Sequence, residues 1–283
     1  MKITEINLVQ RKDVTVYFSL AKKILAEFLE LSKMYQEIAI FVGNKRNYQN
    51  ESATVAISKF LGLSEGDRIY TEGIHLPAHC ISKGKKGCVQ IVMDVFETLP
   101  LWKQAFVVRH EFCHLLHPLG HSPTLDLLSK KYSREWLANL GGYRWEYQVH
   151  LCVIKRYLDD WLREPLGISK DIMSPRSLYR RERKMKGAEH AISIAIANSV
   201  NILRIIYLHE YLLTITQVSN QLKERFKQNL KRYEGYLDSW WRCLQKDIKS
   251  KLPMPRELLS PNHFEDEEAF FRQISHLLAI AGI

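Results

Sequence analysis

The sequence predicts an α+β fold: a small sheet and two long helices in residues 1–165, then a mainly helical region in 166–283. Three observations carry this reading. Short β-branched and apolar runs, such as Glu37 to Val42 and Cys88 to Phe96, are confined to the first part. Apolar residues at helical spacing dominate on either side of them. From about residue 166 onward strand signals are few. With 283 residues, the chain can bury a sizeable core in one or two domains. Its hydrophobic share of 46% and charged share of 25% are those of a globular protein and exclude a disordered or fibrous chain.

The elements follow in order. Val14 to Met34 reads as an amphipathic helix, Glu37 to Val42 as a strand and Ser52 to Leu61 as a short helix. A hairpin comes next: a strand near Ile74 to Ile81, a turn at Lys83-Gly84-Lys85-Lys86-Gly87, and a second strand from Cys88 to Phe96. A long helix then starts with Thr98 as N-cap and Pro100 in its first turn, and ends at Pro118 and Gly120. A second long helix opens with Ser133 as its cap. Glu164-Pro165-Leu166-Gly167 is the best boundary between the two regions. Within the second region, Ala191 to Leu208 is the most apolar window. Asn198, Asn201 and Arg204 interrupt it, which favours a buried helix over a membrane span. Five cysteines with no framework spacing, and no leader-like N-terminal stretch, lead us to expect a reduced, cytoplasmic protein without membrane attachment.

The first long helix carries His110-Glu111-Phe112-Cys113-His114, an HExxH motif. Residues i and i+4 share one helix face, so both imidazoles can hold one Zn2+ while the glutamate between them acts as a general base. A catalytic zinc takes a third protein ligand. Downstream, the available donors are His117, His121, Glu135 and Glu146. Glu135, in the first turn of the second helix, is the preferred one. Asn139, one turn later, could orient a ligand histidine. Against this, a first-turn acid is also what the helix dipole favours with no ligand at all.

The stretch Leu99-Pro100, Gln104-Ala105-Phe106 and His110 to His117, followed by Glu135-Trp136-Leu137-Ala138-Asn139, resembles the core of the ImmA/IrrE-type metallopeptidases, within the gluzincins. Phe112-Cys113 stands where Leu-Gly is usual, and Gly141-Gly142 where Phe-Ala is typical. The resemblance spans roughly residues 14 to 160. It implies a zincin-like domain over 1–165, zinc held by His110, His114 and Glu135, and Glu111 as the base in peptide hydrolysis. It further implies that Cys88 to Asp94 border a groove where an extended substrate adds to a sheet edge; an ordinary core strand is the competing reading. Family members commonly cleave a DNA-binding repressor, so a helix-turn-helix protein is the implied partner.

Charge points toward nucleic acid as well. The chain carries a formal net charge of +10. Arg176, Arg180, Arg181, Arg183, Lys184 and Lys186 cluster around Tyr179, and Lys223, Arg225, Lys227, Lys231 and Arg232 interleave with Phe226 and Tyr233. Basic groups with aromatics suit single-stranded or duplex nucleic acid. A solvated helix face, or salt bridges to Glu265-Asp266-Glu267-Glu268, would give the same composition. Two rival functions stay open: a nucleic-acid-binding regulator with a structural zinc, and a protease acting on DNA-attached proteins. Cys80, beside His79 and near the predicted groove, could reach the zinc as a thiolate switch or simply be a small packed side chain. Trp161, Trp240 and Trp241 read as core anchors.

Overall fold

The structure is a computed structural model and describes residues 1–9, 12–49, 51–63, 76–120, 122–163, 175–248 and 251–282. The expected boundary at 164–167 lies outside them, as do His121 and the start of the expected strand at 74–75. The contacts divide the chain into two compact units. One contains Met1–Pro118 and Cys152–Glu164, the other Leu119–Leu151 and Pro165–Ile283.

The first unit is built on a four-stranded mixed sheet in the order β1-β2-β4-β3. β1 (Lys2–Asn7) pairs parallel with β2 (Glu37–Gly43), and β2 pairs parallel with β4 (Lys86–Val92). β3 (Ala78–Lys83) closes the hairpin antiparallel to β4. Residues Ile38 to Val42 of β2 are all fully buried, as befits a central strand covered on both faces. One face packs on α3 (Lys45–Gln49) and α4 (Glu51–Leu61), through Ala39, Phe41, Ala53, Ile57, Cys88 and Val92. Strand alternation sends the other set toward α1 (Thr15–Leu25) and α6 (Leu101–Leu116).

Several expectations shift. The single helix over 14–34 is two, α1 and α2 (Leu31–Met34). No Gly or Pro marks the break; the turn between them instead buries Phe28 against Phe112, with ring centroids 5.5 Å apart. The second hairpin strand stops at Val92, and Met93–Phe96 forms a helical turn, α5. The hairpin turn is the two residues Gly84-Lys85, with Lys83 opposite Lys86 and Gly84 at φ +57°. β1 is an additional strand whose six residues mix polar and apolar side chains without a buried run. Cys88–Asp94 does not form an edge: β4 lies between β2 and β3. Among the described residues the edges are β1 and β3.

Among the described residues, every regular element of the second unit is a helix: α7 (Pro123–Leu128), α8 (Arg134–Arg156) as far as Leu151, α10 (Pro175–Lys186), α11 (Ala188–Thr214), α12 (Asn220–Asp247), α13 (Pro255–Leu258), α14 (Pro261–Glu265) and α15 (Glu267–Ala281). α9 (Leu158–Arg163) belongs to the first unit. α11 is long and apolar enough to cross a membrane, yet 78% of its most apolar window is buried, as in the core helix of a soluble fold. It packs most extensively on α12, and Trp240 is fully buried. Trp241 and Trp161 are buried too, so all three tryptophans anchor cores as the sequence suggests.

Candidate metal centre

α6 starts at Pro100, whose extended backbone (φ −63°, ψ 152°) makes it the N-cap residue. Thr98 is not the cap, because its hydroxyl donates back to the Val95 carbonyl at 2.6 Å. Val108, Phe112 and Leu115 bury one side of the helix, while Phe106 packs on Trp161 with ring centroids 6.3 Å apart. At its C-terminal end, Tyr35 donates its hydroxyl to the Leu115 carbonyl at 2.9 Å. Gly87 lets β4 come close there: a Cβ at that position would lie 3.2 Å from a Leu115 methyl carbon. These contacts fix the height and rotation of the motif.

That rotation brings His110 and His114 together. Their Nε2 atoms lie 3.0 Å apart. Two nitrogens about 2.0–2.1 Å from one tetrahedral zinc would be roughly 3.3 Å apart, so the pair needs little adjustment to share an ion. His114 and Glu111 are both buried. His110, His114 and Glu146 each offer a ligand atom, and these atoms lie within 4.8 Å of one another. Two imidazoles and a carboxylate form a donor set suited to a divalent transition metal.

The carboxylate in this group is Glu146, not the favoured Glu135. Both lie on α8, and eleven residues at 100° each return to within about 20° of the same face, but roughly 16 Å farther along the axis. Glu135 and Asn139 are exposed near the helix start. Helical facing alone therefore selects both acids, and only the height along the helix separates them.

Two neighbours of Glu146 belong to no motif in the sequence. His150, one turn on, places Nε2 3.1 Å from the Glu146 carboxylate. Arg204 lies on α11, where Asn201 accepts a hydrogen bond from it at 2.9 Å. Burial pushes the Arg204 guanidinium down from its ordinary value, while the charge of Glu146 pulls it back. The signal was present: Arg204 is the charged residue that interrupts the apolar window of α11, and such a residue calls for a partner.

Other residues around the motif and in the basic groups have different neighbours. His117 hydrogen-bonds Cys152. Arg109 is engaged by Glu27 at 3.1 and 3.2 Å and by Asp160 at 2.7 Å. Cys80 lies on β3 opposite Val89 and does not belong to the metal group. The six basic residues of α10 are all exposed, but Tyr179 is buried and donates to Asp247 at 2.7 Å. Arg183 pairs with the same aspartate at 2.9 Å. Phe226 and Tyr233 pack edge-on against the His209 ring at 5.4 and 5.2 Å, so they serve the core rather than a stacking platform. The acidic run turns to other partners: Glu267 to Arg144 and the Gly120 amide, and Glu268 to Ser122, Thr124 and Arg272.

No family model, curated protein or solved structure matches the chain.

Proposed function

We propose that the chain is a zinc-dependent metalloendopeptidase, with His110, His114 and Glu146 as ligands and Glu111 as general base. One observation carries the reading: an HExxH helix whose two histidines share a ligand group with a carboxylate from a second helix. Zinc, when bound, supplies Lewis acidity toward a scissile carbonyl and a water. Glu111 takes the proton of the attacking water on its carboxylate and passes it to the departing amine. His150 and Arg204 hold Glu146 in place, His150 by hydrogen bonding and Arg204 by charge. β3, an antiparallel edge that packs against α6, is the strand on which an extended substrate adds. This arrangement is compatible with the ImmA/IrrE resemblance and a zincin-like domain, with the third ligand moved from Glu135 to Glu146.

The proposed substrate is a regulatory protein such as a helix-turn-helix repressor. A second reading rests on the exposed basic face of α10: a nucleic-acid-binding regulator whose metal is structural. The two part on one experiment. Wild-type protein loaded with zinc is incubated with a panel of small DNA-binding repressors, with and without single-stranded DNA, beside Glu111→Gln. Cleavage by the wild type and none by a zinc-replete Glu111→Gln supports the peptidase. Equal cleavage by both removes Glu111 as base, and metal binding with no cleavage under any condition favours the structural role.

A further inference from the structure

The second unit holds a cleft that shares no residue with the metal group. It has a volume of about 400 Å³ and lies between α15 and α7 with the turn that follows α7. That volume falls in the range of small-molecule sites, roughly 300–1,000 Å³. Leu127, Leu128 and Ala279 supply its apolar surface, and Tyr132 adds an aromatic ring. Leu127 is 64% exposed, so part of this apolar surface faces water. A lone exposed leucine is ordinary, but apolar side chains grouped in a concave site with charge at its rim suit a ligand. The aromatic side is fixed by its own contacts. The Leu128 carbonyl accepts the Lys131 and Tyr132 amides at 3.0 and 2.9 Å. Tyr132 tilts against Trp136 with ring centroids 5.9 Å apart, and Trp136 donates its indole N–H to the Ser193 carbonyl at 2.8 Å.

Charge narrows the ligand class. Lys131 and Arg272 both line the cleft, and among the described residues no acid does. The Lys131 ammonium lies 5.1 Å from the centroid of the Tyr132 ring. Arg272 is oriented through its Nε–H, which donates to Glu268 at 2.9 Å. A guanidinium carries five N–H donors, so that bond occupies one of them. Glu268 is one carboxylate against two cations, and its oxygens already accept from Ser122, from Thr124 twice and from Arg272. We propose that the cleft is a binding site for a small amphipathic carboxylate, its carboxylate on Arg272 and Lys131 and its hydrocarbon on Leu127, Leu128 and Ala279. A guanidinium matches a planar carboxylate with paired N–H groups, and each buried methylene of the ligand adds affinity. A wholly polar anion such as inorganic phosphate leaves the leucines wet, and an uncharged chain leaves both cations without a counter-charge. Binding here needs neither metal ion nor peptide cleavage, so it stands or falls apart from the peptidase reading.

Octanoate is the probe, titrated calorimetrically into the full-length protein at neutral pH below its micelle concentration. We expect one equivalent to bind with a Kd of about 0.1–1 mM. Hexanoate, shorter by two methylenes, should bind about tenfold more weakly. 1-Octanol, which lacks the charge, should also lose about tenfold or more. Arg272→Gln should weaken octanoate about tenfold through the lost charge, and Leu127→Asp by about tenfold or more through repulsion and lost apolar contact. Both side chains are exposed, and circular dichroism checks that the variants keep their helices. Should either variant misfold, the comparison of octanoate with octanol on the wild type still decides. No saturable octanoate binding up to about 5 mM, octanol bound as tightly as octanoate, or octanoate affinity unchanged in both variants would overturn the proposal.

Discussion

The two compact units use buried polar side chains in opposite ways. In the second unit they tie elements together: Arg144 pairs with Glu267 at 3.0 Å, and Ser122 donates to Glu268 at 2.6 Å. In the first unit, α6 buries Glu111 and His114 beside His110, in an arrangement that suits an ion. Burial of a polar group thus has two settings, told apart by the partner: a complementary side chain in one, a second nitrogen able to share an ion in the other.

The largest effect that could break this contrast is on stability. Arg144→Ala strips a buried partner from Glu267 and should cost about 3–5 kcal/mol in denaturant unfolding. Glu111→Gln, also buried, should cost about 1 kcal/mol or less while removing the hydrolysis proposed for this site. Similar losses for the two would erase the distinction.

Acid sharpens the comparison. Burial holds the His79 imidazole down to about 4, against a usual 6.5. The unfolded chain binds the proton more readily, so this contribution is complete above pH 6.5 and fades as pH falls toward 4, by about 3 kcal/mol. The buried His209 of the second unit acts in the same sense. Hydrogen bonds from Ser122 and Thr124 hold the Glu268 carboxyl near 2, so its contribution persists to lower pH and is lost only as pH falls from about 4.5 toward 2. Urea unfolding across this range should flatten between pH 6.5 and 4 in His79→Gln and below 4.5 in Glu268→Gln. Unchanged profiles would contradict both assignments.

The smallest stability effect belongs to α10. Arg180→Ala with Lys184→Ala, both exposed, should move stability by about 0.5 kcal/mol or less. If α10 tracks a nucleic-acid backbone, the same pair should lower the salt dependence of single-stranded DNA binding by about one to two phosphate contacts. An unaltered salt slope would remove α10 from any such interface.

Much of this was legible in the sequence because it is local. The HExxH spacing, the stop at Pro118 and the cap at Ser133 are set by neighbours within a turn, and the structure places α6 and α8 accordingly. Long-range features were not. β1 is a strand because β2 lies beside it, and β4 is interior because β3 folds back over its far edge. Glu146 and Glu135 share a helix face, so no periodicity could choose between them.

The central claim is the ligand set, and zinc stoichiometry by equilibrium dialysis tests it most directly. One ion per chain is expected in the wild type and in Glu135→Gln, with affinity weakened more than about 100-fold in His114→Ala and Glu146→Gln, since even outer partners of a zinc site cost about 10–100-fold. Zinc lost from Glu135→Gln but retained by Glu146→Gln, or undiminished after both histidines are removed, would contradict it.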